Sequence, residues 1–154
     1  MNKDIFFENE GQQFRLRACG IIIRDQQVLM VKNEQDRYYY AVGGAVKQNE
    51  TTEEAVIREV FEETGLRLEI DRLLYVHQNF FTFRDKPFHE LAFYYLMKDN
   101  LGAIQSDSYS FEGVKEHMVF LPINSYHTFE AYPKFFAEAL KNIKEDVCFI
   151  TTRE

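Results

Sequence analysis

The chain has 154 residues, 45% of them hydrophobic, with 15 Phe and 9 Tyr. A chain of that length buries roughly 70% of its unfolded surface, enough for one domain over residues 1–154 with a core that needs no staple. Its formal net charge of −7 excludes the basic face that nucleic-acid binding normally requires, yet leaves nucleotides open as substrates, because a bound cation inverts the local field.

Residues 1–13 are polar and weakly patterned and read as a loose lead-in, with no secretory leader. From Leu16 to Arg24 the run with Ile21, Ile22 and Ile23 in series predicts a buried strand. Asp25-Gln26 is a turn, and Gln27–Lys32 resumes as a strand, so residues 16–32 read as a hairpin. Tyr38–Val42 is a third short strand, ended by Gly43-Gly44. A helix follows: Thr51 and Glu54 form a capping box, Val56, Val60 and Thr64 recur on one face, and Gly65 ends it in a left-handed conformation. Leu73–Phe83 and Phe88–Met97 are long strands around a turn at Arg84–Pro87. Asp99–Gly113 reads as a long polar loop and Met118–Leu121 as a final strand. Pro133 opens a second helix reaching about Ile143. The order predicts a mixed sheet covered by helices, an α/β (α+β) domain. No segment reaches the roughly 20 apolar residues of a spanning helix, so no membrane partner is expected. Cys19 and Cys148 are isolated; Cys19 sits in an apolar run, and two such thiols fit a reducing, cytoplasmic setting.

The helix carries the chemistry. Glu59, Glu62 and Glu63 stand at i, i+3 and i+4, which puts three carboxylates on one face. Such a face is often merely solvated, since like charges at this spacing cost only a few tenths of a kcal/mol on an exposed helix. It also offers the oxygen ligands that Mg²⁺ or Mn²⁺ prefers. The surrounding spacing decides between the two. Gly44, five residues, Glu50, seven residues, Arg58-Glu59, apolar Val60, one residue, Glu62-Glu63, one residue, Gly65 and apolar Leu66 make seven fixed identities. At about 6% per residue type, these arise by chance on the order of 10⁻⁹ per starting point.

This pattern resembles the Nudix box, and the chain is identified as a member of the Nudix (MutT-like) hydrolase family. The resemblance is tight over Gly44–Leu66 and loose, through strand order, over residues 16–122. It implies an α/β/α sandwich in which a loop-helix-loop catalytic motif sits against a mixed sheet. It implies that Glu59, Glu62 and Glu63, with the Gly44 carbonyl, ligate Mg²⁺ or Mn²⁺. Glu59 or a nearby carboxylate would deprotonate or orient water, and the Arg58–Glu50 ion pair would hold loop to helix. The implied reaction is pyrophosphate hydrolysis in a nucleoside diphosphate linked to another group, giving a nucleoside monophosphate and a phosphorylated remainder.

Residues outside the box set the substrate. Tyr38 and Tyr40 are candidates to stack on a base, although alternation turns at least one ring of Tyr38-Tyr39-Tyr40 into the core. Phe80 and Phe81 are similar candidates. Arg15, Arg17 and Lys32 are cations that could meet phosphate. His89 and Glu90 interrupt an apolar strand and need partners if buried. By the resemblance, Glu112 or Glu116 after the long loop is a candidate base. His77, His117 and His127 have no metal-like spacing and are assigned structural roles. Two other readings stay open: a nucleotide-metabolite sensor without turnover, and a non-enzymatic acidic module. Nucleotide sugars, ADP-ribose, dinucleoside polyphosphates and damaged nucleoside triphosphates remain open as substrates. A homodimer is allowed.

Overall fold

A computed structural model describes residues 2–109 and 113–153. In chain order the strands are β1 (Phe6–Asn9), β2 (Gln12–Ile21), β3 (Ile23–Arg24), β4 (Gln27–Asn33) and β5 (Tyr39–Ala45), then α1 (Thr52–Thr64). After it come β6 (Glu69–Phe83), β7 (Lys86–Lys98), β8 (Asp107–Tyr109), β9 (Lys115–Pro122), β10 (Ala131–Tyr132), the short α2 (Phe136–Ala139) and β11 (Cys148–Arg153). The sheet runs β11-β6-β7-β2-β5-β4-β9-β8, with β1 added to β2, β3 to β4 and β10 to β5.

β2 lies at the centre. Ala18, Cys19 and Ile21, and Ile22 just past its end, are fully buried, and successive side chains point to opposite faces, so this strand needs cover on both. It pairs parallel with β7 and antiparallel with β5. On one face Ala18, Ile22, Val31 and Val42 pack against Val56 and Val60 of α1. On the other, Cys19, Ile21, Met30 and Tyr94 pack against Tyr126, Phe136 and Leu140. Burial pushes the Cys19 thiol up to about 12, which removes it as a nucleophile at neutral pH.

Helix α1 forms as the local signals require. Thr51 Oγ1 accepts from the Glu54 backbone at 3.0 Å, the Glu54 carboxylate accepts from Thr51 N, and Gly65 closes the helix at φ 80°. Its buried residues Val56, Val60 and Thr64 are those expected from the spacing. The seat is close: a Cβ on Gly20 of β2 would fall 2.6 Å from Val60 Cγ2.

Four expectations need correction. The lead-in is ordered: Ile5 N–H donates to Val46 O at 2.7 Å and β1 pairs with β2, so main-chain pairing holds a segment whose side chains gave no signal. The hairpin shrinks to β3 and β4 about Asp25-Gln26, both at positive φ; β2 instead inserts between β5 and β7, where both its apolar faces are covered. The second helix coils from Pro133 to Asn142 largely through i→i+3 hydrogen bonds and is α-helical only at Phe136–Ala139. The long loop contains β8, and β9 is not the last strand, because β11 adds to β6 in parallel. The turn between the long strands is tight, at Arg84-Asp85.

Candidate active site

The loop leading out of β5 and the helix α1 are bound by one side chain. Arg58 grips Glu50 with two hydrogen bonds, Nε to Oε2 at 2.8 Å and Nη2 to Oε1 at 2.9 Å. It also donates to Glu59 Oε1 at 2.9 Å and to the Ala45 carbonyl at 3.1 Å. Glu50 Oε1 in turn accepts from Lys47 N at 3.0 Å. The planar guanidinium fork suits this arrangement, since one rigid group ties the last carbonyl of β5, the loop carboxylate and the helix carboxylate together.

Beneath this brace, two of the three helix carboxylates turn inward. The Glu59 carboxylate lies directly over Gly44, where a Cβ would fall 2.5 Å from Oε1; the missing side chain is what admits it. Glu63 is 8% exposed, and its Oε2 is buried with no hydrogen-bond partner. Burial holds the Glu63 carboxyl well above its ordinary range, the nearby Glu59 and Glu116 charges raise it further, and Arg17 and the Gly43 N–H oppose them. Burial also raises Glu59, against the pull of Arg58. Glu62 does not join them. Its side chain is 53% exposed and meets Arg58 Nη1 at 3.4 Å. Among the described residues, no three His, Cys, Asp or Glu side chains are gathered closely enough to hold a metal ion. The donor set nevertheless fits a hard divalent cation: an orphaned buried carboxylate oxygen next to a second inward carboxylate is an arrangement whose charge calls for a cation.

Glu116 of β9 is buried on the same side of the sheet and accepts a short hydrogen bond from Tyr40 Oη. Tyr38 stacks edge-on to Tyr40 and Tyr132. Glu112 lies outside the described residues. The other candidate substrate contacts have these surroundings. Lys32 Nζ is tied to the Asp36 carbonyl at 2.5 Å. Phe81 stacks on Phe88 and the exposed His89 on Phe80. Arg17 and Glu90 lie on the sheet face away from α1, yet the Arg17 charge still acts on Glu59 and Glu63. Arg15 Nε donates to Glu90 at 2.8 Å, Arg17 stands 3.8 Å from it, and Arg17 Nη2 donates to Ala41 O at 2.6 Å. Burial works to raise the Glu90 carboxyl, but the two guanidiniums overcome it and leave it below its ordinary value.

These two residues line a cavity of about 50 Å³ whose other walls include His77, Asn79, Phe135 and Thr152. Sequence reasoning named Arg17 and Glu90 but missed that His77, Asn79 and Thr152 join them. His77 and Asn79 share a face of β6, but Thr152 arrives from a strand that carries no strong pattern.

A mixed sheet with a capped carboxylate helix, a glycine cradle and an arginine brace defines a class of acidic loop-helix-loop sites. The NUDIX domain family model matches residues 14–143, and the chain belongs to that family. Its sequence is 35% identical over 87 residues to an ADP-ribose pyrophosphatase of Methanocaldococcus jannaschii, covering 51% of this chain and 52% of that protein. It is 36% identical over 63 residues to a MutT-like protein of Streptomyces ambofaciens, covering 40% and 41%. The chain thus spans about half or less of the length of these relatives. Among solved structures, the fold is similar to a MutT protein of Bacillus halodurans (TM-score 0.68, 17% identity, 90% of both chains covered). It is also similar to an ADP-ribose pyrophosphatase of Streptococcus suis (TM-score 0.60, 13% identity, 90% of this chain and 98% of that one).

Proposed function

We propose that this protein is a divalent-metal-dependent pyrophosphohydrolase. It cleaves the anhydride of a nucleoside diphosphate linked to a further group, releasing a nucleoside monophosphate and a phosphorylated remainder. The observation that carries this reading is the buried, unpartnered Glu63 Oε2 beside Glu59 over Gly44. Glu59 and Glu63, with the Gly44 carbonyl, would hold Mg²⁺ or Mn²⁺, and Glu62 would complete the set. The bound ion supplies charge neutralisation at the phosphates and lowers the pKa of water.

The chain's own residues do the rest. Arg58 and Glu50 keep loop and helix at fixed separation, so that Gly44 and Glu59 stay in contact. Glu116 of β9, hydrogen-bonded by Tyr40 and close enough for its charge to raise the Glu63 carboxyl, would take a proton from the attacking water. The water oxygen bonds to one phosphorus, the bridging P–O bond breaks, and the leaving phosphate departs with the bridging oxygen. A proton taken by a positioned carboxylate is general-base catalysis, worth typically 10²–10⁴-fold.

The substrate is a small nucleotide derivative. ADP-ribose is the first member to test, because two of the similar proteins carry that activity in their names. The test is a panel of ADP-ribose, nucleotide sugars and dinucleoside polyphosphates with Mg²⁺, read as phosphate released after coupled phosphatase. Turnover that EDTA abolishes, and that Glu63→Gln reduces by orders of magnitude in a folded protein, supports the proposal. Full activity in EDTA overturns it. One observation favours a sensor without turnover: Glu62 is engaged by Arg58 and points to solvent. Binding of panel members with no hydrolysis would establish that reading.

A further inference from the structure

The cavity on the sheet face away from α1 contains a defined hydrogen-bond chain. Thr152 Oγ1 of β11 donates to Asn79 Oδ1 at 2.8 Å. A hydroxyl has one proton, so toward His77 the same oxygen accepts. His77 Nε2, 2.8 Å away, therefore carries the hydrogen. His77 Nδ1 is left as a bare acceptor. It is buried, on a residue 2% exposed, and has no partner. Burial also holds the His77 imidazole below its ordinary pKa, which keeps the ring neutral.

A buried acceptor without a donor is costly, and none of the donors lining the cavity, Arg17 and Lys134 among them, bonds to it. Phe135 packs edge-on to His77 with ring centroids 5.0 Å apart. At about 50 Å³ the cavity is too small for a heterocycle, yet large enough for one polar group at the edge of a ligand. The strand that fixes the imidazole, Cys148–Arg153, lies beyond the family-matched residues 14–143.

We infer that His77, oriented by Thr152 of β11, is a specificity-determining residue that accepts a hydrogen bond from an N–H or O–H donor on the substrate. The donor is an exocyclic amine of a base or a hydroxyl of a sugar. This rests on the hydrolase reading for its substrate class. A site built to bond a donor rejects the analogue lacking it more strongly than an apolar pocket rejects a methylene.

Calorimetric binding distinguishes the two sources. One arm compares AMP with purine riboside 5′-monophosphate, which lacks only the exocyclic amine. The other compares ribose 5-phosphate with 2-deoxyribose 5-phosphate. The expected result is an advantage of about tenfold or more for the donor-bearing member in one arm. That advantage should fall below about threefold in Thr152→Val and in His77→Phe, and persist in part in His77→Asn, which keeps an acceptor near the Nδ1 position. If His77→Phe fails to fold, Thr152→Val at the sheet edge decides. Equal binding within both arms, or an advantage unchanged in Thr152→Val, overturns the inference. Turnover retained alongside equal binding overturns it alone. A donor preference without turnover of any substrate overturns the hydrolase reading and leaves this one standing.

Discussion

Removal of the arginine brace is the sharpest perturbation of the site's architecture. Arg58→Ala deletes the bidentate pair with Glu50, the bond to Glu59 and the bond to the Ala45 carbonyl. Glu50 and Glu59 each have side chains 14% exposed, so both carboxylates lose a cation while still largely out of water. Truncating one partner of a buried ion pair costs about 3–5 kcal/mol. Arg58 itself is 22% exposed, so water offsets part of this, and about 2–3 kcal/mol is the expected loss. In a domain of this size that lowers Tm by about 4–10 °C. Urea unfolding of Arg58→Ala, Glu50→Gln and the double variant gives the coupling directly, expected at about 1–2 kcal/mol. A single-variant loss below about 0.5 kcal/mol with no coupling would refute the brace, since an ordinary exposed surface pair gives as much.

The remaining predictions concern the carboxylates and the helix seat. Gly44→Ala drives a Cβ into the Glu59 carboxylate, so activity should fall at least tenfold with little change in Tm; steady-state kinetics at unchanged activity would contradict the cradle. Gly20→Ala presses α1 away from β2 through Val60 and Val56, at about 1–3 kcal/mol of overpacking, measured by denaturant unfolding. The pH dependence has a definite sign. Burial raises the folded-state pKa values of Glu63 and Glu59 above 4.5. The folded metal-free protein therefore binds protons that the unfolded chain releases, and it loses stability as pH rises from 4.5 through the folded values. Thermal melts without metal should show a smaller loss between pH 5 and pH 7.5 for Glu63→Gln than for the parent, and equal slopes would count against the buried charge. Glu50 acts oppositely: hydrogen bonds from Arg58 lower its pKa, so the brace weakens as pH falls below 4.5.

Much of this was legible locally. The signals for α1 lie within fifteen residues: the Thr51–Glu54 box at one end, Gly65 at the other and Val56, Val60 and Thr64 between. No distant contact was needed to read them. The Arg58–Glu50 pair and the inward Glu59 follow from the family spacing for the same reason. Glu62 stands further out than Glu59 and Glu63, because spacing fixes a helix face but not where the sheet meets it. Here the sheet covers Glu59 and Glu63, while Arg58 holds Glu62 at the rim. Glu90 could be read as needing partners once buried, and Arg15 and Arg17 are those partners. β11 could not be read. It alternates weakly, with Phe149 81% exposed, and it pairs with a strand some seventy residues earlier. The Thr152–His77 contact inherits that distance. The helix expected after Pro133 is loosely coiled because its apolar side chains, Phe135, Phe136 and Leu140, are fixed by packing against Tyr75, Tyr94 and Tyr126, which does not require a regular α-helix.

The central claim is that Glu63 and Glu59 form the seat of a divalent cation. Mn²⁺ titration followed by electron paramagnetic resonance of the free ion addresses it without any substrate. The account predicts that the folded protein removes Mn²⁺ from the free pool, and that Glu63→Gln, equally folded, weakens this at least tenfold. A free-Mn²⁺ signal that is the same with parent, variant and no protein would contradict it.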